Sequence, residues 1–206
     1  MGDTPNSRIK PDTAGLFELS STQLGHFTAS QAEEFGFGSD LLSYHVKAGK
    51  FLRRHRGIYR FRDYPSSEFE DEMVAWLVAG RERSVVSHET ALEMFDLSDV
   101  IPQRIHLTVP RTRRNLPRIP GVRIHTTKRK YHNSDVVNRN GFRVSSPTRS
   151  IVEVAESGLA PEQVEMAIRQ ALSRGLTTPE LLREQASQRN ARVRELIESG
   201  IASSFE

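Results

Sequence analysis

The stretch from Phe27 to Arg62, FTASQAEEFGFGSDLLSYHVKAGKFLRRHRGIYRFR, decides the reading of this chain. Thr28 and Gln31 stand three residues apart in the capping-box pattern, which starts a helix that turns Ala32 and Phe35 inward and stops at Gly36. A second helix fits Ser39 to Ala48, and Gly49 can take the left-handed conformation that ends it. On a helical wheel Leu42 and Val46 share one face with His45 beside them; Asp40, Ser43, Tyr44 and Lys47 fall opposite. From Phe51 to Arg62 aromatic and branched residues suit two strands, with Gly57 at the hairpin tip. Helix, tight turn, helix and two-stranded wing make the outline of a winged helix-turn-helix.

No acidic residue occurs between Asp40 and Asp63, so Lys47, Lys50, Arg53, Arg54, Arg56, Arg60 and Arg62 are expected to form a continuous positive stripe. A basic run alone is usually a solvated face. Here it abuts a helix pair of the right length, which favours a duplex-binding surface. Ser39, Asp40, Ser43, Tyr44 and Lys47 on the second helix, with Lys50, Arg53, Arg54 and Arg56 on the wing, are the candidate DNA-binding residues. Ser43, Tyr44 and Lys47 would approach base edges or phosphates in the major groove, and Asp40 would accept from cytosine; packing for Tyr44 and capping for Asp40 are the plainer alternatives. The wing arginines would touch phosphate or the minor groove.

The chain has 206 residues, a formal net charge of +3 and no cysteine. Its length allows two small domains, and the missing cysteines exclude disulfide scaffolds, thiolate metal sites and thiol catalysis. No apolar run approaches a membrane span, and the amino terminus lacks a signal-peptide core, so a soluble intracellular protein is expected. The charge is segregated: acids dominate from Asp63 to Asp99, whereas Val100 to Ser134 contains none and accumulates arginines. Within that block the loop carrying Arg111, Arg113 and Arg114 is either a second DNA contact or a solvated basic loop.

The expected organisation is α+β: a disordered tail over residues 1–12, a winged helix-turn-helix over 13–64, and a mixed α/β domain over 65–206. Leu16, Phe17, Leu19, Leu24 and Phe27 suggest a first helix of the three-helix core. After Pro65 come a helix from Ser67 to Ala79 capped by Ser67, a short strand over Ser84 to Ser87, and a helix through Phe95. Strands are expected at Arg104 to Val109, Val122 to Thr126 and Gly141 to Val144; helices start at Pro147, Pro161, Glu180 and Val193.

Taken in this order, the segments resemble the AbiEi family of type IV antitoxins. The resemblance rests on Phe27 to Phe61 with its Arg56-Gly57-Ile58-Tyr59 wing, on Val86-Ser87-His88-Glu89-Thr90-Ala91-Leu92, on Ile105-His106-Leu107-Thr108-Val109-Pro110, and on Ser146-Pro147-Thr148-Arg149-Ser150-Ile151-Val152. It covers about residues 14 to 175. The resemblance implies a cytoplasmic, DNA-binding antitoxin that represses its own operon through inverted repeats in the promoter. It also implies a nucleotidyltransferase-like toxin as genetic partner, countered without a stable complex. Some related chains carry a nuclease-like domain beyond the point where this sequence ends.

A winged-helix transcriptional regulator without antitoxin activity is the nearest alternative, and two other classes compete. His88, His106, His125 and His132, with Glu89 and Asp135, could be metal ligands or a nuclease centre, yet no His-x-Glu, His-Glu-x-x-His or paired-carboxylate spacing occurs. Strand histidines such as His106 and His125 are more often structural. The expectation is therefore no catalytic residue, no metal and no cofactor. The acidic helix from Glu68 to Ala79 could instead dock a basic protein partner.

Overall fold

The structure is a computed structural model that describes residues 10–116, 118–129 and 131–205. Residues 1–9 of the expected tail lie outside the described residues, but Asp12 at its end caps the first helix. Its carboxylate accepts from the Gly15 amide at 2.9 Å, and α1 runs Thr13–Ser21. Leu24 and Gly25, at φ 53° and 77°, then reverse the chain. Phe27 is consequently not helical: it sits in β1, His26–Thr28, which pairs with the wing as a third strand.

The next elements follow the sequence reading closely. In α2, Ala29–Glu34, both halves of the Thr28–Gln31 capping box form. Then α3 spans Ser39–Lys47 and ends at Gly49, φ 73°. The wing is β2, Phe51–His55, and β3, Ile58–Phe61, giving an antiparallel sheet of order β1-β3-β2. Leu16, Phe27, Ala32, Phe37, Leu42 and Phe51 form the core between the three helices and one sheet face. Phe51 anchors it, with ring centroids 5.1 Å from Phe27 and 4.9 Å from Phe61.

The other face of this sheet is also covered. The acidic helix α4 is Glu70–Ala79, three residues shorter at its start than expected, and it packs on all three strands. Ser67 does not cap it; Glu70 instead accepts from the Ser67 amide at 3.2 Å. Two compact units result, divided between Gly80 and Arg81, so α4 counts with the winged helix rather than with the mixed α/β domain.

The second unit is built on a five-stranded sheet of order β6-β5-β4-β8-β7. Its centre is the short buried β4, Val85–Val86, antiparallel to β5, Ile105–Pro110, which runs parallel to β6, Val122–Thr127. On the other side β4 lies parallel to β8, Phe142–Ser145. A strand absent from the sequence reading, β7, Val136–Arg139, closes a hairpin with β8. Asn140 and Gly141, both at positive φ, make its tight turn, the pairing that two-residue hairpins prefer.

Helix α5, His88–Met94, follows β4. Four helices complete the unit: α6, Pro147–Ser157; α7, Pro161–Ser173; α8, Pro179–Ser187; and α9, Ala191–Ala202. Three of them open with proline at the first turn, where its missing N–H costs nothing. Between β5 and β6 the basic segment forms a single 3-10 turn at Arg111–Arg113, and Ile119 is tucked into the core despite its basic neighbours.

Candidate nucleic-acid interface

Leu42 and Val46 hold α3 on the core, and His45 lies against Phe51 with ring centroids 5.0 Å apart. The opposite face is left outward: Ser39, Asp40, Ser43 and Lys47 are exposed, and Tyr44 is 62% exposed. That face is polar apart from the Tyr44 ring, and its basic end leads into Lys50 and the wing. Lys50, Arg53 and Arg56 are exposed too, with Arg56 beside the hairpin tip at Gly57. These side chains all belong to one folded unit.

The expected continuous stripe is broken at three places. Because side chains alternate along β3, Arg60 points away from Phe61 onto the face that α4 covers, and it is 4% exposed. Its guanidinium donates to the Tyr64 and Pro65 carbonyls at 2.8 and 3.0 Å and to Glu70 at 2.8 Å. Arg60 is therefore a structural cation. Arg54 sits where the β2–β3 register shifts between Arg53 and His55, and its guanidinium lies against α4, 3.2 Å from Asp71 and 3.9 Å from Glu70. Arg62 donates its Nε to the Gly49 carbonyl, which ties the end of the wing to the end of α3.

Arg111, Arg113 and Arg114 lie in the second unit, on and just after the 3-10 turn that follows β5; Arg111 and Arg114 are exposed and Arg113 is half-buried.

The second unit also buries a polar cluster that sequence spacing did not assemble. Arg149 on α6 pairs with Asp135 at 2.9 Å and with Glu153 at 2.7 Å, and its guanidinium lies 3.9 Å over the Tyr131 ring. Ser145 donates to the second Glu153 oxygen at 3.0 Å. Burial pushes the Glu153 carboxyl up, against the pull of Arg149. Beside this network a cleft of about 400 Å³ is lined by His88, His125, Lys128, Arg129, Glu156 and Arg189, among others.

A winged helix with an outward basic wing, followed by a mixed α/β domain, defines a regulator-type protein of two parts. Residues 16–62 match the family model described as a transcriptional regulator, AbiEi antitoxin, and residues 84–199 match that of the AbiEi antitoxin C-terminal domain. The chain belongs to the AbiEi antitoxin family, whose members are antitoxins and transcriptional regulators and not enzymes. Its fold is similar to that of the RV2827C protein from Mycobacterium tuberculosis, at 12% identity and a TM-score of 0.60, over 98% of this chain and 81% of that one. No curated protein matches the chain in sequence. Among the described residues no helix is long and apolar enough to cross a membrane.

Proposed function

We propose that this antitoxin is the DNA-binding member of a type IV, AbiE-like pair and represses its own operon. The winged helix over residues 13–64 places α3 in the major groove of inverted repeats in the promoter. Ser43, Tyr44 and Lys47 face the bases and nearest phosphates, with Ser39 and Asp40 at the leading end of the helix. Lys50, Arg53 and Arg56 neutralise flanking phosphates, and Arg54 joins them when its pairing with Asp71 opens. The observation that carries this reading is the outward, core-free face of α3 continuing into exposed wing arginines. Arg111, Arg113 and Arg114 supply a second set of phosphate contacts. The genetic partner is a nucleotidyltransferase-like toxin, countered without a stable complex.

Binding of a promoter duplex and an unrelated duplex, followed by anisotropy over a salt series, tests the DNA half. Each phosphate contact contributes about 0.9 to the log-log salt slope. Arg53→Ala with Arg56→Ala weakens binding to both duplexes and flattens the slope by about 1.8. Tyr44→Ala lowers the preference for the promoter with a smaller change in slope. A double variant with the parental slope places the phosphate contacts elsewhere. Co-expression with the neighbouring toxin tests the other half: growth is restored while affinity purification recovers the antitoxin alone.

A further inference from the structure

In the second unit three histidines from three elements converge. His88 opens α5, His106 lies on β5 and His125 on β6. The parallel register sets His106 opposite Arg123 and Thr108 opposite His125, so the two strand histidines share one sheet face as diagonal neighbours. One ring nitrogen of each histidine lies within 4.8 Å of one from each of the others. His88 and His125 stack at 3.6 Å between centroids, and His106 is 5.1 Å from His125.

Two features make this more than a packed aromatic cluster. His106 Nδ1 and His125 Nε2 are buried and have no hydrogen-bond partner, although buried polar atoms are ordinarily satisfied. His88, a residue with a full side chain, is held at φ 54° in the first turn of α5, a left-handed conformation that such a residue keeps only where the surroundings enforce it. The enforcement is visible: Ser87 N–H donates to the His106 carbonyl at 3.0 Å, and Ser87 Oγ bridges His88 Nδ1 at 2.9 Å and Thr108 Oγ1 at 2.8 Å. That fixes the His88 ring and leaves its Nε2 free, in the manner of the outer-shell partners that orient metal-binding imidazoles.

We propose that His88, His106 and His125 form a binding site for a divalent transition ion of the zinc class, with a fourth position facing the cleft lined by His88 and His125. Burial first, and then neighbouring positive groups, depress all three rings, His88 to about 2 and His106 and His125 to about 4, so each offers a lone pair at neutral pH. Zinc–nitrogen bonds of about 2.0–2.1 Å at tetrahedral angles set ligand nitrogens roughly 3.3 Å apart. The three nitrogens now lie within 4.8 Å of one another, so binding requires the half-buried His125 ring to turn out of its stack on His88 and the His88 and His106 rings to draw together. Arg104, Arg123 and Arg149 oppose a further positive charge, whereas Glu153, 3.9 Å from His88 Nδ1, favours it. Bound there, the ion ties α5 to β5 and β6; the site is independent of the DNA-binding reading.

The test is titration of the metal-free full-length protein with Co²⁺ and Zn²⁺. One equivalent of Co²⁺ gives the intense visible bands of a four-coordinate ion, and Zn²⁺ displaces it. His125→Ala and His106→Ala weaken binding at least tenfold, while His132→Ala, an exposed histidine outside the cluster, binds as the parent does. Long-range ¹H–¹⁵N imidazole spectra of the unmutated protein, which do not depend on any variant folding, then show zinc shifting three of its seven histidines. Absence of stoichiometric binding at micromolar protein, retention of parental affinity in His125→Ala, or zinc shifts at a different set of histidines overturns the assignment.

Discussion

Arg54 on the wing and Asp71 on the acidic helix lie 3.2 Å apart, so one arginine of the DNA-facing hairpin is held by an acid of its own unit. Asp71 is largely exposed and Arg54 half-exposed, so the pair is weak and open to competition from phosphate. Asp71→Asn removes the competitor. The expected result is several-fold tighter binding to any duplex and a log-log salt slope steeper by about 0.9, one added phosphate contact. Anisotropy at three or four salt concentrations measures both; unaltered affinity and slope would mean that Arg54 never reaches DNA.

Arg60 and Arg62 stand two positions apart and both tie down the wing, but one is buried and the other exposed. Arg60 is buried against Glu70 and the carbonyls of Phe61, Tyr64 and Pro65, and truncating it leaves those part-buried acceptors without their charged donor, at a cost of roughly 1–3 kcal/mol or more. Arg62 is exposed, so Arg62→Ala costs less than about 1 kcal/mol. Urea unfolding of the two variants decides the matter. Trp76, the single tryptophan, lies 4% exposed on α4 and reports on the first unit. Equal midpoints for the two variants would contradict the burial of Arg60.

The burial of Arg60 escapes the sequence for a reason of range. The capping box at Thr28, the glycines at 36 and 49 and the wing tip at Gly57 act over a few residues, so the winged helix is legible from local chemistry. Alternation along β3 sets Arg60 opposite to Phe61, but only the packing of α4 decides whether that side is wet or dry. The acids Glu70 and Asp71, crowded just after the wing, are the available signal. For β7 the signal is stronger, and the expected strands omit it all the same: Asn140-Gly141 is a hairpin turn, and a turn needs a strand on each side. The histidines could be named from the sequence as candidate ligands, but no spacing singles out His88, His106 and His125, because they come from three elements joined only by strand register.

Gly25 and Gly57 both sit in the left-handed region, at φ 77° and 76°, yet their surroundings differ. A Cβ at Gly57 meets nothing within 4 Å, so Gly57→Ala costs only the conformational penalty of about 1–2 kcal/mol. A Cβ at Gly25 would stand 2.4 Å from the Tyr64 ring. That ring cannot easily withdraw, since its hydroxyl donates to the Ser21 carbonyl at 3.2 Å and it lies tilted against the Phe17 ring, 6.0 Å between centroids. Overpacking adds a further 1–3 kcal/mol or so, and Gly25→Ala is expected to be the more destabilising by at least that margin. Chemical denaturation of both variants, again followed at Trp76, provides the comparison; a milder effect at Gly25 would show the Tyr64 contact to be soft.

His26 gives the first unit a pH dependence with a definite sign. It is fully buried on β1, its Nδ1–H donates to the Leu24 carbonyl at 2.9 Å, and its Nε2 has no hydrogen-bond partner. Burial lowers its pKa below the ordinary 6.5; of the charges nearby, Glu70 pulls it up and Arg60 pushes it down. In the unfolded chain the ring takes up a proton near 6.5. Between that value and the depressed one the unfolded state binds more protons, so the stability this ring contributes is whole above 6.5 and is lost as the pH falls through the window. The Trp76-monitored urea midpoint should therefore drop between pH 7.5 and 5, and His26→Gln, which cannot take up the proton, should remove that part of the drop. A variant that loses stability with acid as steeply as the parent would assign the effect to another group.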